Sequence, residues 1–572
     1  MHRRSFAAQL VINPKVLSVY AHTASDNSLD DHLPGSRRCV FIPMPSTGRR
    51  LRNHLSQKTF RELFFSLFFV SGFCSVLYEL VWLRLSMAQF GVTTAMVSIV
   101  LSVFMAGLGL GSWASGEWLR RRGDGLQFPA IRIYALIELL IGISGIVVPY
   151  ELRWGRGILE RVELSSSVAY YCVSGIWVAC TLIPWCTLMG ATIPIGMRAI
   201  AQTLPADAGR SFSRLYTANV AGAVIGTALP LFLIELLGFH RTLWVGAACN
   251  GLIATAAIML SRVSPKESSD DRAPAFGTLP GKATGGTTVL ALLFLTGLTS
   301  MGMEVIWVRQ FTPYVGTVVY AFASILGVYL AATFAGARIY RSWSSRHAQE
   351  SPILWTLLAL FALVPLVTSS PSIRLYKDLR MALGIAPFTA LLGFLTPMLV
   401  DRRSGGDPGK AGSAYAINVV GCLLGPLLAG FLLLPYMSER WALIILSLPW
   451  LIVGLRGLRP TAGATRVARI GAYALIPLAG LLIFLSKGYD EAYPQRQVLR
   501  DATATVIATG SGMDKQLLVN GYGMTVLTPA TKMMAHLPLA FLDRPPGCAR
   551  HLLRHGNHVS IAAQLEDSYD CR

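Results

Sequence analysis

Glu79 and Glu304 stand inside long apolar stretches, each followed three residues later by Trp (Trp82, Trp307) and five residues later by Arg (Arg84, Arg309). An ionisable group at membrane depth costs at least about 2.5 kcal/mol on insertion scales, so it must face a partner or a wet cavity. Two readings follow. The carboxylates form a pseudo-symmetric pair beside a central pathway, suited to a cationic solute or a proton relay, with Arg84 and Arg309 beside them. Alternatively, each Glu pairs with its nearby Arg at the helix end while Trp82 and Trp307 join an interfacial belt. Asn219 and Asn418 follow Tyr216 and Tyr415 by three residues and precede Gly222, Gly226 and Gly421, Gly425. They could line a binding site, although small residues at this spacing are the ordinary device for close helix packing in lipid. Glu138 and Glu235 are intramembrane acids with no repeat partner. Pro184, Pro194, Pro387 and Pro397 should kink or break their helices. The nine cysteines have no metal-ligand or disulfide spacing, and six of them lie in apolar blocks. No catalytic residue and no metal ligand is nominated.

The elements that must hold these residues follow from composition. The chain has 572 residues, 53% hydrophobic and 14% charged, with a mean hydropathy of +0.51. Apolar blocks of about 20 residues, the length that crosses a bilayer core, recur near 62–83, 92–115, 129–149, 167–196, 215–237 and 241–261. They resume near 286–307, 316–339, 352–369, 381–400, 413–435, 440–456 and 468–486. The net charge of +20 sits mostly in short loops between blocks, a positive-inside pattern rather than a nucleic-acid surface.

The two sets of six repeat each other. Ser71–Arg84 lies over Thr296–Arg309 at an offset of 225, which also carries Gly91 to Gly316 and Gly111 to Gly336. Pro184, Gly190 and Pro194 match Pro387, Gly393 and Pro397 at offset 203, and Tyr216, Asn219, Gly222 and Gly226 match Tyr415, Asn418, Gly421 and Gly425 at offset 199. An even number of spans per repeat gives parallel halves, the design of major-facilitator proteins. The glycine- and arginine-containing loop after the second span, 111–123, also resembles that superfamily, without its usual aspartate.

The fold expected is an all-α polytopic membrane protein of two parallel six-helix repeats plus one extra helix, followed by a truncated small β module. Its divisions are a disordered tail at 1–58, repeats at 59–261 and 286–457 around a polar linker at 262–285, and an extra helix at 466–486. A partial β module at 488–546 and an aberrant tail at 547–572 follow. Every even-numbered loop is basic, including Arg120–Arg122, Arg198, Arg338 and Arg402–Arg403. The N-terminus is then cytoplasmic, and thirteen spans put residues after 486 on the other side.

Past the last block, 498–510 alternates like one strand, 511–514 reads as a turn, and 515–519 forms a second strand ending in Asn520-Gly521. A helix is expected at 529–538. The first-span pattern and its repeat, the 189–194 element, and the segments 518–521 and 534–539 together resemble bacterial fused major-facilitator/spermidine-synthase-like membrane proteins, over roughly 60–546. The resemblance implies a role in polyamine metabolism at the bacterial inner (plasma) membrane. It also implies an aminopropyltransferase-like module, which in intact spermidine synthases takes decarboxylated S-adenosylmethionine on a Gly-rich loop.

The chain departs from that pattern. Asn520 replaces the family's Asp, Met524 stands at its substrate-side Gln, and Thr528, Ala530 and Lys532 fill its acidic and Tyr positions. The 26 residues after Pro546 lack the Gly-x-Gly loop, although a shifted reading frame over 549–567 can encode one. Aminopropyl transfer is therefore not expected of this chain, and no cofactor is assigned. The competing class is a transporter or membrane scaffold for a small solute, a polyamine or another, whose charge is left open; the bilayer is the expected partner, nucleic acid is not, and oligomeric state is open.

Overall fold

The computed structural model describes residues 57–122, 129–162, 166–203, 211–263, 286–316, 318–344, 353–455, 466–511, 515–526 and 533. The tail at 1–58, the linker at 262–285, the helix at 529–538 and the segment 547–572 lie wholly or largely outside the described residues. All described residues belong to the unit His54–Arg572.

Among the described residues, twelve α-helices precede a sheet: α1 (Gln57–Phe90), α2 (Thr94–Arg122), α3 (Ala130–Leu159), α4 (Ser167–Thr203), α5 (Ser211–Val263), α6 (Gly286–Val315), α7 (Val318–Ser344), α8 (Ile353–Thr368), α9 (Lys377–Ser404), α10 (Pro408–Leu427), α11 (Glu439–Leu455) and α12 (Arg466–Leu485). A π-helical turn, Leu428–Leu433, extends α10. Counting α5 once, nine helices among the described residues are long and apolar enough to cross a membrane. α5 is two limbs in one run. Gly238 adopts φ 75°, ψ 174° between them, a conformation open to glycine alone. This joins the separate blocks expected at 215–237 and 241–261. The prolines do not break α4 or α9, which run through Pro184 and Pro194 and through Pro387 and Pro397.

The same packing plan occurs in both halves. α1 lies on α5, α2 on α4 and α3 on both; correspondingly α6 lies on α10, α7 on α9, and α8 on α9 and α11. Across the halves, α2 packs on α10 and α5 on α7. Gly91 and Gly316 turn the chain out of the first helix of each half at φ 112° and 111°. The polytopic fold of two parallel repeats with one additional helix is thereby realised.

Four antiparallel strands in the order β1 (Arg496–Arg500), β2 (Thr505–Thr509), β3 (Gln516–Val519) and β4 (Tyr522–Val526) form one sheet. The single strand expected at 498–510 is two. The Asp501 carboxylate accepts from the backbone N–H groups of Thr503 (2.7 Å) and Ala504 (2.8 Å), and this Asx turn folds β1 back on β2. Asn520 (φ 50°) and Gly521 (φ 76°) make the two-residue turn between β3 and β4, a connection that requires positive φ at both positions.

Candidate functional site

Between the halves lies a cavity of about 200 Å³. α1 and α6 contribute Glu79 and Glu304 at equivalent positions, α5 and α10 contribute Tyr216, Asn219, Tyr415 and Asn418, and α7 contributes Tyr329. α4 and α9 add Gly190 and Gly393. Close helix approach sets this geometry. The α carbon of Gly72 lies against the Asn219 carbonyl, and that of Gly297 against the Asn418 carbonyl. Gly222 and Gly421 meet the carbonyls of Phe69 and Phe294 in the same way. Side chains larger than hydrogen would hold these helices apart, so the glycines position the acids on the neighbouring turns.

Both glutamates are buried, and they line the same cavity. Neither carboxylate oxygen of Glu304 has a hydrogen-bond partner among the described residues. The cavity lining contains those two acids and no Lys, Arg or His. Phe212 bridges the halves, its ring 5.8 Å from Tyr216 and 5.7 Å from Tyr415. Asn418 is partly committed, donating to the Leu293 carbonyl and to Thr296 Oγ1, both at 2.9 Å.

Four of the six nominated residues, Glu79, Glu304, Asn219 and Asn418, therefore share one cavity, whereas Arg84 and Arg309 do not line it. Arg309 turns to the sheet, donating to Thr94 Oγ1 (3.3 Å), Thr505 Oγ1 (3.4 Å) and the Asp501 carbonyl (3.1 Å). The alternative of Glu304 paired with Arg309 is corrected by this geometry. Trp82 and Trp307 also leave the interfacial belt: both are fully buried, Trp82 stacked 5.2 Å from Tyr78 and Trp307 edge-on 6.3 Å from Phe388. Tyr329 had no signal beyond its place in an apolar block. Tyr216 and Tyr415 carried one in their shared repeat position.

Glu138 belongs to a different arrangement. Ser71 Oγ donates to one of its oxygens (2.6 Å) and Asn250 Nδ2 to the other (2.7 Å), while Tyr78 donates to Asn250 Oδ1 (2.9 Å). This fully satisfied acid ties α1, α3 and α5 together. Glu235 is exposed.

The sheet docks on the end of the bundle where α1 and α6 finish. Thr505 Oγ1 donates to Glu439 Oε1 (3.1 Å), Thr94 N–H to the Thr503 carbonyl (3.3 Å), and Tyr489 to the Gly521 carbonyl (3.1 Å). Burial pushes the Tyr489 phenol above its ordinary range. Arg120–Arg122 close the opposite end of α2.

No family model matches the chain. It is 26% identical over 197 residues to "Polyamine aminopropyltransferase 2" of Streptomyces coelicolor, across 33% of this chain and 32% of that protein. Against "Polyamine aminopropyltransferase" of Mycobacterium tuberculosis it is 28% identical over 188 residues, 32% of each. The chain thus spans about a third of the length of the curated relatives it matches. Among solved structures, the nucleoside transporter NupG aligns at TM-score 0.40 and 14% identity, covering 74% of this chain and 100% of that one. A point variant of NupG aligns at TM-score 0.42.

Proposed function

We propose that this protein binds a small aliphatic di- or polyamine in the cavity between its halves and handles it as a transporter or membrane sensor. The observation that carries the reading is the lining itself: two glutamates, from equivalent positions of two repeats, with no cationic side chain among the lining residues. Each carboxylate would take one ammonium group, and the faces of Tyr216, Tyr329 and Tyr415 suit cationic groups as well. At about 200 Å³ the space is below the roughly 300–1,000 Å³ of drug-sized pockets, which favours a short chain over a nucleoside-sized solute. Matches to proteins whose names specify polyamine chemistry point to the same solute class.

By the positive-inside rule the basic loops are cytoplasmic, in a bacterial plasma membrane, and the sheet faces the other side. Parallel repeats around a midplane site are the usual framework for alternating access. Glu79 and Glu304 hold the cation, the tyrosines and asparagines orient its methylene chain, and the paired glycines let the halves rock as units.

The test is uptake of labelled putrescine and spermidine by proteoliposomes containing the full chain. Glu79→Gln and Glu304→Gln should each reduce flux at least about tenfold, the effect of losing roughly 1.4 kcal/mol of binding. Unchanged flux in both variants would remove the proposal.

A second reading rests on the matches to aminopropyltransferases: the sheet is part of a membrane-anchored enzyme of that kind. Asn520 and Gly521, at the family's Asp-Gly position, are occupied in folding. Thr505 N–H donates to Asn520 Oδ1 (2.9 Å) and Gly521 packs against Pro313 and Tyr489. They do not fit an aminopropyl donor. Release of 5′-methylthioadenosine by the purified chain, given decarboxylated S-adenosylmethionine and putrescine, would favour this reading.

A further inference from the structure

On the outer surface of the bundle, α2 and α10 enclose a trough of about 610 Å³. Its walls are apolar and face outward: Leu110 is 46% exposed, Trp113 51% and Ile417 37%. One end is different. Arg120, Arg403 and Lys410 line it there, and no acidic residue does. Of the nearest acids, Glu117 holds Arg120 and Arg121, each at 2.6 Å, and Asp407 caps α10, accepting from the N–H groups of Gly409 and Lys410. Arg403 and Lys410 have no ion-pair partner among the described residues.

We infer that this trough holds one anionic phospholipid of the leaflet beside the basic loops, its phosphate at Arg403 and Lys410 and an acyl chain between α2 and α10. Three observations select this occupant. The apolar walls lie at membrane depth, on helices that span. The trough runs from Met105 to Arg120 on α2, about 22 Å at 1.5 Å per residue, which matches one leaflet with its headgroup layer, about 20–22 Å. The cations cluster at the end where that headgroup lies, the arrangement by which basic pockets between spanning helices select acidic lipids.

The site also crosses the seam between the halves. α2 belongs to the first repeat and α10 to the second, and they meet closely below the trough, where Ser112 Oγ donates to the Gly412 carbonyl at 3.3 Å. A seated lipid therefore touches both halves at once, independently of what the central cavity binds.

The experiment is native mass spectrometry of the full chain extracted from vesicles of phosphatidylglycerol and phosphatidylcholine in equal parts, with wild type, R403Q/K410Q and Ala106→Trp compared. One retained phosphatidylglycerol per protein is expected in the wild type. R403Q/K410Q should lower its retention over phosphatidylcholine on the order of 25-fold, about fivefold for each cation removed. Ala106→Trp, which fills the apolar trough and keeps all three cations, should expel it. Equal retention of the two lipids by wild type, or unchanged selectivity in R403Q/K410Q, would overturn the assignment. So would stabilisation of detergent-purified protein by inorganic phosphate alone to the same extent as by phosphatidylglycerol, because the trough would then be an anion site without a lipid.

Discussion

Gly297 of α6 sits directly against the backbone carbonyl of Asn418 in α10, with no room for a β-carbon, and Gly72 and Asn219 repeat that contact in the other half. These contacts fix how far the cavity opens. Gly297→Ala and Gly72→Ala should therefore each destabilise the protein by about 1–3 kcal/mol, the usual cost of overpacking. Thermal unfolding in detergent measures this. A control is Gly251→Ala, where a β-carbon meets nothing within 4 Å and should stabilise slightly by raising helix propensity.

The two kinds of buried acid should respond in opposite ways. Glu304 has no hydrogen-bond partner for either carboxylate oxygen among the described residues. Glu304→Leu should raise stability by about 1–3 kcal/mol, since an unsatisfied buried polar group is removed, while amine binding is lost. Glu138→Leu leaves Ser71 and Asn250 without their acceptor. It should cost about 1–3 kcal/mol for each group left unsatisfied, with amine affinity retained in the folded fraction. Unfolding temperature and amine affinity measured on the same samples separate the two roles.

Arg309 clamps three parts of the chain: α6, the start of α2 through Thr94, and the sheet through Thr505 and Asp501. Arg309→Ala removes all three hydrogen bonds, two of them to the sheet, and should loosen the sheet by about 2–3 kcal/mol, using roughly 1–1.5 kcal/mol for each of those two. Limited proteolysis should then cut 496–526 faster while the helices remain protected. An unchanged cleavage rate would mean that Arg309 does not hold the sheet.

The bundle and sheet also make a topological prediction. Leu499, 64% exposed on β1, lies at the end of the bundle opposite Arg121, whose side chain is 74% exposed. With native cysteines replaced, Leu499→Cys and Arg121→Cys should react with a membrane-impermeant maleimide from opposite faces of sealed vesicles. Labelling from the same face would contradict the packing of the sheet.

Much of this is legible in the residues. Offsets of 225 and 199 pair Gly72 with Gly297 and Asn219 with Asn418 in the amino-acid sequence itself, because duplicated contacts need duplicated residues at both partners. Glu79 and Glu304 stand out because charge is rare in apolar blocks. The destination of Arg309 is hidden, since its partners Thr94, Thr505 and Asp501 are distant in sequence and two of its hydrogen bonds go to threonine hydroxyls, which carry no charge signal. The burial of Trp82 and Trp307 is hidden for a related reason: a tryptophan near a helix end reads as a belt residue until helix packing encloses it. The lipid trough arises from α2 and α10 meeting across the seam, and no local pattern encodes that meeting.

The most direct test of the central claim is a structure of the full chain determined with spermidine, alongside the E79Q/E304Q double variant under the same conditions. The account predicts an elongated density in the central cavity, one end at Glu79 and the other at Glu304, that is absent in the double variant. An empty cavity at saturating spermidine, or density that persists without the two carboxylates, would contradict it.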